Sequence, residues 1–281
     1  MSRPIPKMAG VCGWPIHHSL SPLLHGYWIK EMGVAGAYVP FAVRPDEAVY
    51  AFKSLKRTSI SGVNVTLPLK KLAFAAADTA TADAKKLGVA NCLYKQGGKL
   101  IAHNTDMEGF AAPLMKAMGP SLIAKTPAVV YGTGGAARAV IGALLAMGSL
   151  EIRLCGRTDI RAEAMAKDVG VPSLYTVPWA MRNDAMSGAG LIVNASSAGM
   201  KGRPGLDIDL SAASAGATVY DLVYTPLETP LLRQARQQNL QAIGGLSMLI
   251  EQARPSFRLF FGKTPPMDLD PSPLLIEALK L

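Results

Sequence analysis

The sequence predicts an α/β protein with two domains, and three observations support this. The chain has 281 residues, which is long for one compact domain and comfortable for two of roughly 100–200 residues each. Hydrophobic residues make up 49% of it and charged residues 17%, so a sizeable core can be buried. Short apolar runs alternate with helical patterns along most of the chain. Such alternation indicates parallel strands that are covered by helices on both faces.

The N-terminal part contains a first series of elements. The patterns predict strands at 9–12, 37–43, 62–67, 91–95 and 99–103, and helices from residue 21, over 46–56 and from residue 68. Ser21 suits the N-cap of the first helix, Pro22 its first turn, and Gly33 its end. The pair Gly97-Gly98 suits a hairpin turn between the last two strands.

A second series begins near residue 127. It predicts strands at 128–131, 150–155, 191–195, 218–223 and 240–243, and helices over 137–147, 159–169, 229–239 and 247–261. The domain boundary therefore falls within residues 104–125. Four prolines between 264 and 273 predict an extended segment before a last short helix.

Charge and composition narrow the function classes. Lys and Arg number 29 against 20 Asp and Glu, a formal net charge of +9, yet the basic residues are dispersed and aromatics are only 6%. This pattern argues against a nucleic-acid-binding protein and for a small anionic ligand. The longest apolar run is too short to span a bilayer.

Cysteine and histidine usage is sparse. The 3 cysteines are widely spaced without a C-x-x-C pair, and the 4 histidines have no familiar ligand spacing. The sequence therefore predicts no disulfide framework, no metal site and a reducing, cytoplasmic location.

A glycine-rich loop joins a predicted strand to a helix at Tyr131-Gly132-Thr133-Gly134-Gly135-Ala136-Ala137. Gly132 permits a tight turn, Gly134 permits close approach of a pyrophosphate, and Ala137 permits close helix packing. The helix N-terminus adds partial positive charge toward the anion. The loop therefore predicts a Rossmann-type dinucleotide-binding domain.

The end of the next strand indicates which dinucleotide binds. It reads Cys155-Gly156-Arg157-Thr158, without the acidic residue that usually bonds the ribose 2′-hydroxyl of NAD. Arg157 and Arg161 can instead clamp a 2′-phosphate, which favours NADP. Asp159 leaves NAD open as an alternative.

Polar residues gather at predicted strand ends in the first domain. Asn64 and Thr66 share one face of a strand, and Lys70 lies just beyond its carboxyl end, where open α/β sheets bind ligands. Asn91 and Asp106 each follow an apolar run, although Asp106 also suits a helix cap. Ser19, in the first loop, has no capping role that explains it.

Together these segments resemble the shikimate dehydrogenase family. The N-terminal matches are Gly13-x-Pro15-Ile16-x-His18-Ser19-x-Ser21-Pro22-x-x-His25, Asn64-Val65-Thr66-x-Pro68-x-Lys70, Gly88-Val89-Ala90-Asn91 and Asn104-Thr105-Asp106-x-x-Gly109. The C-terminal matches are Gly132-x-Gly134-Gly135-Ala136, Arg157-Thr158-x-x-Arg161, Asn194-Ala195-Ser196-Ser197, Asp221-x-x-Tyr224-x-Pro226-x-x-Thr229 and Gly245-Leu246-x-Met248-Leu249-x-x-Gln252. Their order along most of the chain makes the resemblance specific.

The resemblance implies an enzyme that reduces 3-dehydroshikimate to shikimate with NADPH. It implies a substrate-binding catalytic domain at 1–105, an NADP-binding domain at 106–245, and C-terminal helices at 246–281 that pack back on the first domain. Lys70 and Asp106 correspond to the catalytic pair. The other implied substrate contacts are Ser19, Ser21, Asn64, Thr66, Asn91, Tyr224 and Gln252. The implied cofactor contacts are Gly132, Thr133, Gly134, Gly135, Ala136, Gly156, Arg157, Thr158, Arg161 and Gly245.

Three departures from the family pattern are Gly26, Cys92 and Gly156, which stand where Asn, Thr and Asn are usual. The alternatives are a quinate/shikimate dehydrogenase that uses NAD and, from another class, a non-catalytic anion-binding protein on this fold. The expected state is a monomer or homodimer without nucleic-acid or membrane partners.

Overall fold

A computed structural model describes residues 5–280 and divides the chain into two compact units. Among the described residues, one unit consists of 5–105 with 250–280, and the other is Asp106–Leu249. Each unit is an α/β structure built on its own sheet, which confirms the predicted fold class. No helix within residues 5–280 combines the length and apolar character that crossing a membrane requires.

Every predicted strand and helix is present, and two short strands at 79–80 and 174–176 and two short helices at 82–87 and 120–125 are additional. The strands are β1 Lys7–Gly13, β2 Gly36–Ala42, β3 Ile60–Val65, β4 Thr79–Ala80, β5 Cys92–Gln96, β6 Lys99–His103, β7 Ala128–Tyr131, β8 Ile152–Cys155, β9 Leu174–Thr176, β10 Leu191–Asn194, β11 Thr218–Asp221 and β12 Gln241–Gly244. The helices are α1 Ser21–Glu31, α2 Ala48–Ser54, α3 Lys70–Ala76, α4 Ala82–Leu87, α5 Asp106–Met118, α6 Pro120–Lys125, α7 Gly135–Ala146, α8 Asp159–Val169, α9 Pro230–Gln237, α10 Gly245–Phe261 and α11 Ser272–Lys280.

The first unit has a mixed sheet with the strand order β2-β1-β3-β5-β6-β4. Strands β2, β1 and β3 are parallel, whereas β5 runs antiparallel to both β3 and β6. The β5–β6 hairpin turns at Gly97 and Gly98, whose φ angles of 58° and 75° suit a tight two-residue turn. Helices α2 and α3 pack on this sheet through Phe52 and Ala73, and Leu69, just before α3, joins the same core.

The second unit has a fully parallel sheet with the strand order β12-β11-β10-β7-β8-β9. Its order reverses between β7 and β10, so this is the doubly wound topology in which ligands bind at the carboxyl ends of the central strands. Strands β7, β10 and β11 have four residues each, and every one of these residues is buried, as expected for strands covered on both faces.

Several local predictions were wrong in detail. Helix α1 has Leu20 at its N-cap position, and the side-chain oxygen of Ser19 accepts a hydrogen bond from the backbone N–H of Ser21 at 3.3 Å. No side chain caps α1, so the capping role predicted for Ser21 was wrong, and the Ser19 bond closes a local turn before the helix. Helix α3 begins at Lys70 and not at Pro68, because a turn closed by the Leu69 N–H and the Thr66 carbonyl (2.9 Å) precedes it.

Candidate active site

Asn64 lies at the centre of a buried polar network in the first unit. Its amide nitrogen donates to the Ser256 hydroxyl at 2.8 Å and to the backbone carbonyl of Asn91 at 3.2 Å. Its amide oxygen accepts from the Tyr38 hydroxyl at 2.8 Å. Both N–H groups of Asn64 are thus used inside the protein. Its amide oxygen accepts one internal bond and can accept a second one from a ligand.

A second group of side chains joins Asn91, Thr105 and Gln252. The amide nitrogen of Asn91 donates to the Thr105 hydroxyl at 2.9 Å and to the Gln252 side-chain oxygen at 3.4 Å. The Asn91 side-chain oxygen accepts from the Thr105 backbone N–H at 2.7 Å. Because Asn91 and Thr105 both face the oxygen of Gln252, they direct its amide nitrogen to the opposite side.

Ser21 joins the same network through Tyr38. Its hydroxyl is hydrogen-bonded to the buried Tyr38 hydroxyl, and burial raises the pKa of Tyr38 well above its usual value. Ser19 is half-buried and hydrogen-bonded to the backbone of Ser21, so the two predicted serine contacts lie together at the start of α1.

Thr66 and Lys70 lie just beyond the carboxyl end of β3. Thr66 is half-buried, and its backbone N–H donates to the Cys12 carbonyl at 2.9 Å. Lys70 is half-buried at the first position of α3, and its carbonyl accepts from the Ala90 N–H at 3.0 Å, next to Asn91. Lys71 is exposed.

Asp106 begins α5 and is 5% exposed. It directly follows Thr105, whose backbone N–H and hydroxyl are both bound to Asn91. The network around Asn91 therefore fixes the backbone from which Asp106 extends. Asp106 and Tyr224 belong to the second unit, whereas the other predicted substrate contacts belong to the first.

Three residues of the network were not among the predicted site residues: Tyr38, Thr105 and Ser256. Thr105 lies inside the quoted Asn104-Thr105-Asp106 segment, so the resemblance offered a signal for it. Tyr38 and Ser256 lie on β2 and α10 without a recognisable pattern. Sequence alone offered no signal for these two residues.

His25 is buried in an aromatic cluster beside this network. Its ring stacks on Tyr38 with centroids 3.9 Å apart and planes 1° from parallel. Neither ring nitrogen has a hydrogen-bond partner among the described residues, and burial lowers the pKa of His25 to about 3. His17 and His18 are both exposed. His25 is therefore a neutral side chain that packs in the core.

The glycine loop of the second unit connects β7 to α7. Gly132 has a φ of 127°, and a Cβ there would lie 2.8 Å from the Ala195 carbonyl oxygen. Gly134 is exposed at the N-cap position of α7, and a Cβ there would meet nothing within 4 Å. The start of a twelve-residue helix is thus open beside the switch point of the sheet, which suits a pyrophosphate.

The loop after β8 carries the two predicted arginines. Arg157 and Arg161 are exposed, and neither forms an ion pair within residues 5–280. The carboxylate of Asp159 accepts from the backbone N–H of Trp179 at 2.9 Å. This bond ties Asp159 to the Trp179 segment, and the two exposed arginines form a donor set that fits a 2′-phosphate.

Gly156 and Thr133 lie against each other where β7 and β8 end side by side. A Cβ at Gly156 would be 2.7 Å from the Cγ2 atom of Thr133. Thr133 thus occupies the space that a side chain at position 156 would need, which gives a steric reason for the departure at Gly156.

Tyr224 and Gly245 lie near the ends of β11 and β12. Tyr224 is partly buried in the loop between β11 and α9, and burial raises its pKa. Gly245 begins α10, and a Cβ there would lie 2.2 Å from the Leu222 carbonyl oxygen. Backbone therefore approaches backbone closely at Gly245.

Comparisons with known proteins point to one family. A family model described as the shikimate dehydrogenase substrate binding domain matches residues 11–93, and one described as the shikimate 5′-dehydrogenase C-terminal domain matches residues 245–269. A protein named shikimate dehydrogenase (NADP(+)) from Paracoccus denitrificans is 41% identical over 271 residues, which cover 95% of this chain and 96% of that protein.

Solved structures agree with the sequence comparison. The shikimate 5-dehydrogenase of Thermus thermophilus, in complex with NADP(H) and shikimate, has a TM-score of 0.83 and 34% identity, covering 98% of this chain and 99% of that chain. The quinate dehydrogenase of Corynebacterium glutamicum, in complex with NAD, has a TM-score of 0.86 and 28% identity, covering 98% of this chain and 99% of that chain. Sequence, family models and fold together place the chain in the shikimate dehydrogenase family.

Proposed function

We propose that the chain catalyses the reversible NADPH-dependent reduction of 3-dehydroshikimate to shikimate, a step of aromatic amino acid biosynthesis. One observation carries the proposal: in a member of this family, a buried set of amide and hydroxyl groups includes Asn91, and the neighbouring Ala90 is hydrogen-bonded to the backbone of Lys70. Relatives of the chain are named shikimate dehydrogenase (NADP(+)), which supports the same substrate and cofactor.

Substrate recognition follows from the chemistry of these groups. Shikimate offers hydroxyls and one carboxylate, so its site needs neutral hydrogen-bonding groups and a cation. The network holds Asn64, Asn91 and Gln252 in fixed orientations, which lowers the entropy lost on binding. The proposed substrate contacts are Ser19, Ser21, Asn64, Thr66, Lys70, Asn91, Asp106, Tyr224 and Gln252.

Lys70 is the proposed acid–base group. Bound NADPH supplies the hydride that reduces the carbonyl carbon. The carbonyl oxygen gains negative charge during this step and needs a proton donor within about 2.6–3.2 Å. The Lys70 ammonium stabilises that charge and donates the proton, and in the oxidative direction the neutral amine accepts it. The Asp106 carboxylate orients the ammonium.

The second unit is proposed to bind NADP. The glycine loop and the start of α7 receive the pyrophosphate, while Arg157 and Arg161 hold the 2′-phosphate. The proposed cofactor contacts are Gly132, Thr133, Gly134, Gly135, Ala136, Gly156, Arg157, Thr158, Arg161 and Gly245. The first unit is accordingly the substrate-binding catalytic part. We further propose a monomer or homodimer in the cytoplasm, and the three buried free cysteines support the reducing location.

The decisive experiment compares Lys70→Ala with Lys71→Ala. Initial rates are measured with shikimate and quinate, each with NADP and NAD. We expect the unchanged chain to use shikimate with NADP, and Lys70→Ala to lower kcat by about 10²–10⁴-fold, the usual contribution of general acid–base catalysis. The exposed Lys71 is the matched control and should keep full activity.

Two results would contradict the assignment. A preference of the unchanged chain for quinate with NAD would favour the alternative activity. Unchanged kcat in Lys70→Ala, with chemistry shown to be rate-limiting, would exclude Lys70 as the proton donor and direct attention to Tyr224.

The cofactor preference is tested separately with Arg157→Ala. Losing one charge-assisted contact should raise KM for NADP by roughly 10- to 150-fold, because such contacts contribute about 1.5–3 kcal/mol. KM for NAD should stay nearly unchanged, since NAD lacks the 2′-phosphate. Arg233→Ala, at an exposed position on α9, is the control. An equal loss with both cofactors would show that Arg157 has only a structural role.

A further inference from the structure

Asp221 is a buried carboxylate at the carboxyl end of β11. It is 1% exposed, and no cationic side chain within residues 5–280 forms an ion pair with it. One oxygen accepts from the Asn194 amide at 2.9 Å and from the Val223 backbone N–H at 3.0 Å. The other oxygen accepts from the Thr229 hydroxyl at 2.6 Å. Hydrogen bonds alone therefore hold this carboxylate.

Asn194 extends the network into the loop after β10. Its amide nitrogen also donates to the Ala198 carbonyl at 3.0 Å, and its amide oxygen accepts from the hydroxyl and backbone N–H of Ser196 at 2.7 and 3.1 Å. This loop lies directly against the glycine loop, because a Cβ at Gly132 would be 3.0 Å from the Ser196 nitrogen. Asp221 thus fixes a loop that borders the proposed pyrophosphate site.

Val223 and Thr229 extend the hydrogen-bond network of Asp221 to two more segments. The carbonyl of Val223 accepts from the Gly245 N–H at 3.3 Å, at the start of α10. The hydroxyl of Thr229 also accepts from the Leu232 N–H at 3.2 Å, which caps α9. The loop between Val223 and Thr229 contains Tyr224. One carboxylate therefore joins the loops after β10 and β11 and the beginnings of two helices.

We propose that Asp221, with Asn194 and Thr229, is a positioning group for the nicotinamide half of the cofactor. The proposal rests on the proposed NADP site. In a doubly wound sheet each half binds one nucleotide, and the arginines that mark the adenosine half follow β8. The Asp221 network lies on the opposite side of the switch point, at the carboxyl ends of β10 and β11. Rigid loops there hold the reacting ring within the narrow geometry that hydride transfer needs.

The test pairs Thr229→Val with Thr229→Ser. Valine has nearly the same shape as threonine but cannot donate to Asp221, whereas serine keeps the hydroxyl. Binding of NADP and of 2′,5′-ADP, which lacks the nicotinamide half, is measured by isothermal titration calorimetry. We expect Thr229→Val to raise Kd for NADP about tenfold and to change Kd for 2′,5′-ADP by less than about twofold. In Thr229→Ser, Kd for both ligands should stay within about twofold of the value for the unchanged protein.

Asp221→Asn provides an independent arm if Thr229→Val does not fold. Its amide oxygen can keep the bonds from Asn194 and Val223, and its amide nitrogen can donate to Thr229. We therefore expect a smaller rise in Kd for NADP than in Thr229→Val, again without a matching rise for 2′,5′-ADP. Equal weakening of both ligands, or no weakening of either, would overturn the proposal. Absence of NADP binding by the unchanged protein would instead refute the proposed function.

Discussion

At the scale of single residues, His25 shows how a titratable group can be sequestered in a core. It is 0% exposed, stacks on Tyr38, and lies 5.8 Å from Trp28 and from Phe257 between ring centroids. Burial disfavours the imidazolium, so its pKa falls from 6.5 to about 3. At mildly acid pH, the His25 side chain therefore stays neutral in the folded protein, whereas it binds a proton in the unfolded chain.

This shift predicts a pH dependence of stability with a definite sign. Between pH 6.5 and about 3 the unfolded state binds a proton at His25 and the folded state does not. The free energy of unfolding should therefore fall as pH decreases through this window, by about 1.4 kcal/mol per pH unit from this group. Urea unfolding of the unchanged protein and of His25→Phe, at several pH values, measures the difference between them.

Phenylalanine keeps the aromatic stack and removes the titration. The stability of the unchanged protein relative to His25→Phe should decrease toward low pH and be constant above pH 7. A difference that does not vary with pH would mean that His25 takes up its proton equally in both states.

At the scale of elements, close backbone approaches position the cofactor-binding segments. Strand β12 passes directly into α10 at Gly245, which lies against the backbone of Leu222 and Val223. Gly132 makes a similar approach to Ala195 and Ser196. Each glycine lets a loop lie closer to a neighbouring segment than a side chain would permit, so the polypeptide can present its N–H groups at the sheet edge.

Gly245→Ala and Gly244→Ala form a matched test of this packing. An added Cβ would be 2.2 Å from the Leu222 carbonyl oxygen at Gly245, but 3.6 Å from the nearest atom, Leu232 Cδ1, at Gly244. We expect Gly245→Ala to lose about 1–3 kcal/mol, because the backbone must shift, and Gly244→Ala to change little. Thermal unfolding followed by calorimetry compares the two. Equal effects of the two substitutions would contradict the role given to Gly245.

At the scale of the whole molecule, the net charge of +9 is spread over the chain and not concentrated in one basic tract. Such a distribution creates a mild positive field that attracts small polyanions. Arg157 and Arg161 are exposed and without ion pairs in the described part of the chain, so they add to this field locally. The small anionic ligand that the dispersed charge suggested is thereby consistent with a phosphorylated cofactor.

The field predicts a salt dependence that differs between cofactors. Raising NaCl from about 20 to about 200 mM shortens the screening length, so Kd for NADP should rise by about threefold or more. Kd for NAD should rise less, since NAD lacks the 2′-phosphate charge. The same difference is expected between NADPH and NADH, and fluorescence titrations with these reduced cofactors measure it. Equal salt dependence would show that the field does not act on the 2′-phosphate.

Much of the architecture could be predicted because its signals are local. The strand at Ala128–Tyr131 and the helix Asp159–Val169 have the predicted bounds, and the family assignment is confirmed. Strands β4 and β9 were missed because they contain only two and three residues, too few to show a periodicity. The roles of the individual site residues and the functional division of the chain remain predictions.

The sequence by itself determined the fold class, the glycine loop, the arginine pair and the order of the polar motifs, since each depends on residues that are neighbours in the chain. Only the tertiary structure decided how the polar groups are used. Asn64 and Ser256 are 192 positions apart, and Asn91 and Gln252 are 161 apart. Contacts between such distant segments decide which N–H groups turn inward. They also let Asp221 join two loops and two helices, and they form only when the sheets assemble.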